Sequence, residues 1–149
     1  MVDIDQLKQL REETGISFAE CKKALEEAQG EYGKALEVLK ARGVALAKKK
    51  EDRQTGEGIV KAYAHSTGKI GVLVDLRCET DFVARAEHFQ SLAHEIALQV
   101  AGMDPESMED LLSQPYVKDS SKTVADLIQE AIATLGENIL VKRFVRYQI

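Results

Sequence analysis

Cysteine, proline and long apolar runs are all scarce in this chain. Its 149 residues include 2 cysteines and 2 prolines, and no apolar run approaches the roughly 18 residues needed to cross a bilayer. Cys21 and Cys78 lie far apart and belong to no C-x-x-C pair, a spacing that argues against a zinc site or a dithiol redox motif. They are expected as buried, free thiols. The opening segment MVDIDQLKQL lacks the basic region and apolar stretch of a secretory leader. A soluble, cytosolic chain without membrane contact is the expectation. The 44% hydrophobic and 30% charged content is ordinary for a globular protein. A domain of this size buries roughly 70% of the surface its unfolded chain exposes, so folding calls for no metal, cofactor or disulfide.

Positive charge is also in short supply. Lys and Arg number 20 against 25 Asp and Glu, a net charge of −5. Residues 1–50 hold 10 basic and 9 acidic side chains, which leaves 10 and 16 for the remainder. An acidic body is a poor match for a phosphate backbone, so direct nucleic-acid binding is the weaker expectation.

What is present is a change of hydrophobic period along the chain. Asp3 is placed to cap a first helix, with Gln6 at the reciprocal capping-box position and Val2 and Leu7 spaced as a hydrophobic staple. Gly15 ends it. Ser17 with Glu20 opens a second helix whose apolar face is Phe18, Cys21, Ala24, Leu25 and Ala28. Tyr32, Ala35, Leu36 and Leu39 mark a third. Residues 1–46 are therefore expected as a three-helix module, and residues 47–57, AKKKEDRQTGE, as a charged linker.

Residues 58–149 read as an α+β domain. Ile70, Val72, Val74, Leu76 and Cys78 alternate with other residues, the signature of a strand with one apolar face. GIVKAYAH precedes it as an antiparallel hairpin partner. Phe89, Leu92, Ala93, Ile96, Ala97 and Val100 then predict a long helix, Asp104-Pro105 a short one running to about Leu112, and Val124 to Leu135 a last helix closed by Gly136. ILVKRFVRYQI at the end predicts a third strand. The expected fold class is α+β, with a three-stranded antiparallel sheet packed with helices.

Catalytic patterns are thin. His65, His88 and His94 form no i, i+4 pair and no H-E-x-x-H, so no metal site is expected. Cys78 with His65 lacks any nucleophile elbow or orienting group. Gly56-Glu57-Gly58 has Lys61 where a dinucleotide fingerprint needs its third glycine. One segment stands apart: Thr80, Asp81, Phe82 and Val83 place an aromatic and a branched residue beside charges at a strand-to-helix junction. On spacing alone Phe82 either extends the core stripe that includes Phe89 or is displayed to a protein partner.

Two strings here, LREETGISFAECKKAL from Leu10 to Leu25 and CETDFVAR from Cys78 to Arg85, resemble the two signatures of the elongation factor Ts family. GENILVKRFVRY resembles the family's end, so the likeness spans nearly the whole chain. It implies a ubiquitin-associated-like (UBA-like) N-terminal module and an exchange domain. It also implies a partner, elongation factor Tu, whose bound GDP is loosened by disturbing its Mg²⁺ and phosphate site, with no bond made or broken and hence no enzyme activity. By that resemblance Thr80, Asp81, Phe82 and Val83 meet the GTPase near its Mg²⁺ site, while Arg11, Phe18 and Ala19 contact it from the module. Long members have two core subdomains and a coiled coil. This chain has one core, and only Gly102 to Asp119 where an insertion would sit. Short members pair through their sheets, so a homodimer and a 2:2 complex are implied, and the apolar face bearing Ile70, Val72, Val74 and Leu76 is expected to need such cover. The alternative is a ribosome- or RNA-associated module using Lys48, Lys49 and Lys50 with Lys142, Arg143 and Arg146.

Overall fold

The computed structural model describes all residues, 1–149. It begins with three helices, α1 (Ile4–Thr14), α2 (Phe18–Glu27) and α3 (Tyr32–Lys50). Asp3 caps α1 by accepting from the Asp5 amide, and Gly15 closes it in the left-handed conformation at φ 68°. Ser17 caps α2 through the Glu20 amide. The three helices enclose a small cluster of Leu10, Cys21, Ala24, Leu25, Ala28, Ala35 and Leu39.

The expected linker is shorter than its charge pattern suggests. Helix α3 runs through Lys50, so residues 47–50 are its last turn and only 51–56 are irregular. The helix persists because its second half has a surface to pack on. Gly43 is buried beside Ala133, and Ala47 lies against the main core. The Lys50 ammonium donates to the Gly136 carbonyl.

Strands β1 (Glu57–Ala64) and β2 (Ile70–Cys78) form the antiparallel hairpin, and β5 (Leu140–Gln148) pairs with the other edge of β2, giving the order β1-β2-β5. Gly58 is required by close approach: at φ 151°, a Cβ there would fall 2.1 Å from the Leu76 carbonyl oxygen. Between β2 and β5 come α4 (Asp81–Ala84), α5 (Glu87–Met103), α6 (Met108–Ser113), a small hairpin of β3 (Pro115–Tyr116) and β4 (Asp119–Thr123), and α7 (Val124–Leu135). The fold is α+β, with helices on one face of a three-stranded antiparallel sheet.

Two expectations are corrected, and one element is new. Asp104 does not cap a new helix; it ends α5 in the left-handed region at φ 45°, and Ser107 caps α6 through the Asp110 amide. The β3–β4 hairpin has no counterpart in the sequence reading. The apolar face carrying Val72, Val74 and Leu76 needs no second copy, because α5 packs over β1 and β2 and leaves those three residues buried. The opposite face is the uncovered one. There Ala62, Leu73 and Val145 stand in register, beside Ala64, Gly71 and Tyr147, and Leu73, Val145 and Tyr147 are exposed.

Candidate functional site

The segment after β2 is held by its own cap and by a residue far away in sequence. Thr80 is the N-cap of α4, and its Oγ1 accepts from the Val83 amide at 3.3 Å. The Thr80 hydroxyl in turn donates to Glu137 Oε2 at 2.7 Å. Glu137 Oε1 accepts from the Glu79 and Thr80 amides at 3.1 and 3.0 Å. The exchange is reciprocal, because the Glu79 carboxylate accepts from the Asn138 amide at 2.8 Å. Asn138 Nδ2 donates to the carbonyls of Arg53 and Glu51 at 3.0 and 3.4 Å. Arg53 stands 3.6 Å from Glu79. Three segments are thereby tied together: the chain leaving α3, the β2–α4 junction and the α7–β5 junction.

On this frame the four expected residues divide. Val83 is 5% exposed and belongs to the main core, as does Ala84. Phe82 is 82% exposed, so it does not extend the core stripe, which begins with the buried Phe89. Asp81 is exposed and pairs with Arg85 at 3.0 Å, and Thr80 is the cap. Val83 is thus not a contact surface. It anchors the turn from beneath while Phe82 projects.

A second exposed aromatic lies in the first module. Phe18 is 44% exposed at the start of α2, and the Arg11 guanidinium sits over its ring, 4.6 Å from the centroid. Ala19 is exposed beside it. The module meets the core along α7: the Thr134 hydroxyl donates to the Thr14 carbonyl at 3.3 Å, and Lys40 approaches Asp126 at 3.8 Å. A cleft of about 450 Å³ opens along this seam, lined by charged residues that include Glu13, Lys40, Lys122 and Glu130 and by the apolar Ile16, Leu36 and Leu39.

The remaining candidates are accounted for by structure. Cys78 is buried, and burial followed by the nearby Glu137 charge pushes its thiol up to about 11. It donates to the Thr80 carbonyl oxygen at 3.2 Å. A thiol in that environment is a poor nucleophile at neutral pH. His65 accepts from the Thr67 amide within the hairpin turn, and His94 stands edge-on to Tyr63. Of the cations in the nucleic-acid alternative, Arg146 donates to the Ala101 carbonyl and lies near Asp104, Arg143 pairs with Asp75, and Lys50 is engaged by Gly136. Lys48, Lys49 and Lys142 remain exposed.

The fold and these surfaces define the class: an α+β chain in which a helical module is docked on a sheet domain, with an exposed phenylalanine at the first turn of a helix in each part. Comparison with known proteins gives the family. The profile described as "Elongation factor TS" matches residues 79–149, beginning at the β2–α4 junction. The chain is 46% identical to the elongation factor Ts of Coprothermobacter proteolyticus over 188 aligned positions, covering 96% of this chain and 95% of that protein. It is 42% identical to that of Thermosipho melanesiensis, covering 100% and 99%, and 41% identical to that of Thermotoga neapolitana, covering 99% and 97%. The chain belongs to the elongation factor Ts family, and its role is that of a translation elongation factor. The alignments are longer than its 149 residues, so these relatives carry stretches that it lacks.

Proposed function

We propose that this chain binds the GDP form of elongation factor Tu and speeds release of GDP by disturbing the Mg²⁺ and phosphate site of that GTPase. In GTPases of this kind the cation bridges phosphate oxygens to the protein, so a small displacement of its supports loosens the nucleotide. Phe82 acts as an apolar wedge with Asp81 beside it. Arg11, Phe18 and Ala19 form a second contact from the module. The work is coupling between two binding events: whatever the factor does to GDP affinity, GDP does equally to the factor's affinity. Each ~1.4 kcal/mol of coupling is tenfold in the equilibrium. A factor that binds and leaves shortens the time to equilibrium without altering the final ratio of GDP to GTP.

The observation that carries this reading is the exposure of Phe82 on a turn whose neighbours, Val83 and Ala84, are buried. A large aromatic left in water on a capped, anchored turn contributes little to its own fold and is suited to a partner's pocket. The test is release of a fluorescent GDP analogue from elongation factor Tu with and without the chain. Acceleration is expected, and unchanged release at saturating protein refutes the reading.

The proposal extends to assembly. The uncovered sheet face around Leu73, Val145 and Tyr147 pairs with its own copy, giving a twofold dimer and a 2:2 complex with elongation factor Tu. Its support is an apolar patch lying in strand register on an otherwise helix-covered sheet. Light scattering over a concentration series checks it: Leu73→Asp is expected to yield a 16.5 kDa species, and a wild-type mass that stays at that value refutes the dimer.

A further inference from the structure

We propose that Glu137 is a positioning residue for exchange: its carboxylate holds the β2–α4 turn in the geometry that presents Asp81 and Phe82. The inference rests on the exchange reading above and names the group through which that turn keeps its shape.

Helix α4 has only four residues. A single turn fixes several backbone torsions for one or two hydrogen bonds and does not persist in water by itself. Burial of Val83 and Ala84 holds one side of it. The other side, where Thr80 and Asp81 face solvent, has no apolar cover. There the holding group is Glu137, which receives three donors at 2.7 to 3.1 Å, two backbone amides and one hydroxyl. Hydrogen bonds to an ionised carboxylate are about twice as strong as neutral ones. The Thr80 hydroxyl relays the constraint, donating to Glu137 while its oxygen accepts from the Val83 amide. A line of direct bonds therefore runs from Glu137 to the residue next to Phe82.

The position of Glu137 gives the hold its rigidity. It follows Gly136, which ends α7 in the left-handed conformation at φ 77°, and it precedes the buried Asn138. The same short stretch receives Lys50 at the Gly136 carbonyl and reaches Glu51 and Arg53 through Asn138. The end of the module's last helix and the Phe82 turn are thus referenced to one set of atoms. A residue that fixes where Phe82 points, without touching the partner, alters the maximum rate of release more than the affinity.

The experiment uses the full chain with Glu137→Ala, in free and partner-bound form. Amide hydrogen exchange of the free protein is expected to show protection at Glu79 and Thr80 falling about tenfold or more. The maximum rate of fluorescent GDP release from elongation factor Tu is expected to fall about tenfold, with the half-saturating concentration changing less than about threefold. In a Phe82→Ala background the same change is expected to cost far less than it does in the wild type, because only the part that acts through Asp81 remains once Phe82 is gone. Glu137→Gln, which keeps one oxygen for the two amides, is expected to restore much of the protection. Unchanged protection, or losses that multiply in the double variant, overturn the proposal. If Glu137→Ala does not fold, Thr80→Val removes the hydroxyl relay and leaves both amide bonds to Glu137 in place; protection is then read at the Val83 amide beside the release plateau, and unchanged values of both overturn the proposal. Protection is read on the free chain, so it decides the positioning even if wild type fails to speed release, an outcome that sinks the exchange reading alone.

Discussion

Phe18 and Phe82 are both exposed aromatics at the first turn of a helix, yet the molecule holds them in different ways. Phe18 opens a helix that contributes Cys21, Ala24 and Leu25 to a small cluster of seven buried residues; that helix is capped locally by Ser17, and the Phe18 ring is covered by Arg11 from the neighbouring helix. Phe82 sits on a four-residue helix over a cluster of twenty, and its turn is fixed by Glu137, which lies more than fifty residues later in the chain. The first arrangement is adaptable, since an arginine over a ring can slide. The second is stiff. An adaptable contact suits affinity, and a stiff one suits displacing something in the partner.

The largest effect expected to test this contrast comes from Phe82→Ala. Exchange efficiency should fall about 100-fold, the scale of a hot-spot residue, while the melting temperature stays within about 2 °C because no core contact is lost. A large drop in melting temperature would place Phe82 in the core. Its neighbour should behave in the opposite way: Val83→Ala removes buried methyl groups and is expected to destabilise the chain by about 1 to 2 kcal/mol in urea unfolding.

Smaller effects belong to the first module. Phe18→Ala is expected to weaken binding to elongation factor Tu by about 1 kcal/mol with the maximum release rate unchanged. Arg11→Ala should cost about half of that, the scale of an exposed cation–π contact. Titration calorimetry reads both, and an unchanged affinity for either variant would remove that residue from the second contact.

The smallest effect lies on the sheet's outer face, which serves neither aromatic. Asp75 is buried there, and its hydrogen bond with Arg77, assisted by Arg143, holds its carboxyl below the ordinary value of 3.8. A carboxyl depressed by folding contributes stability above its unfolded pKa and loses it as pH falls through the folded value. The contribution of Asp75 should therefore be present in full and independent of pH near neutrality, and the melting temperature should decline as pH falls below about 4. Asp75→Asn should flatten part of that decline.

Much of this architecture is legible in local sequence signals. Asp3 and Ser17 cap the first two helices, though without the reciprocal bonds from Gln6 and Glu20 that their spacing suggests; Gly15 and Gly136 adopt the left-handed closures, and the alternation from Ile70 to Cys78 is the central strand. These depend on neighbours within a few residues. What escaped depends on distant ones. The run of charge at Lys48 to Lys50 reads as a linker, yet it remains helical because Gly43 and Ala47 find α7 and the core. Asp104 before a proline reads as a helix start, whereas its left-handed backbone ends α5 and leaves the cap to Ser107. Strand β4, DSSKT, has no apolar alternation to reveal it. Glu137 is the instructive omission: its string resembles the family's end, but its bonds span 57 and 58 positions, and no local pattern joins it to Thr80. Periodicity also named an apolar sheet face without saying which face the helices would take.

The measurement that bears most directly on the account is the concentration dependence of GDP release from elongation factor Tu, recorded side by side for the wild type, Phe18→Ala and Phe82→Ala. The account predicts that Phe82→Ala lowers the plateau rate by about 100-fold, and that Phe18→Ala moves only the half-saturating concentration. Both substitutions shifting the same parameter, or Phe82→Ala reaching the wild-type plateau, would contradict it.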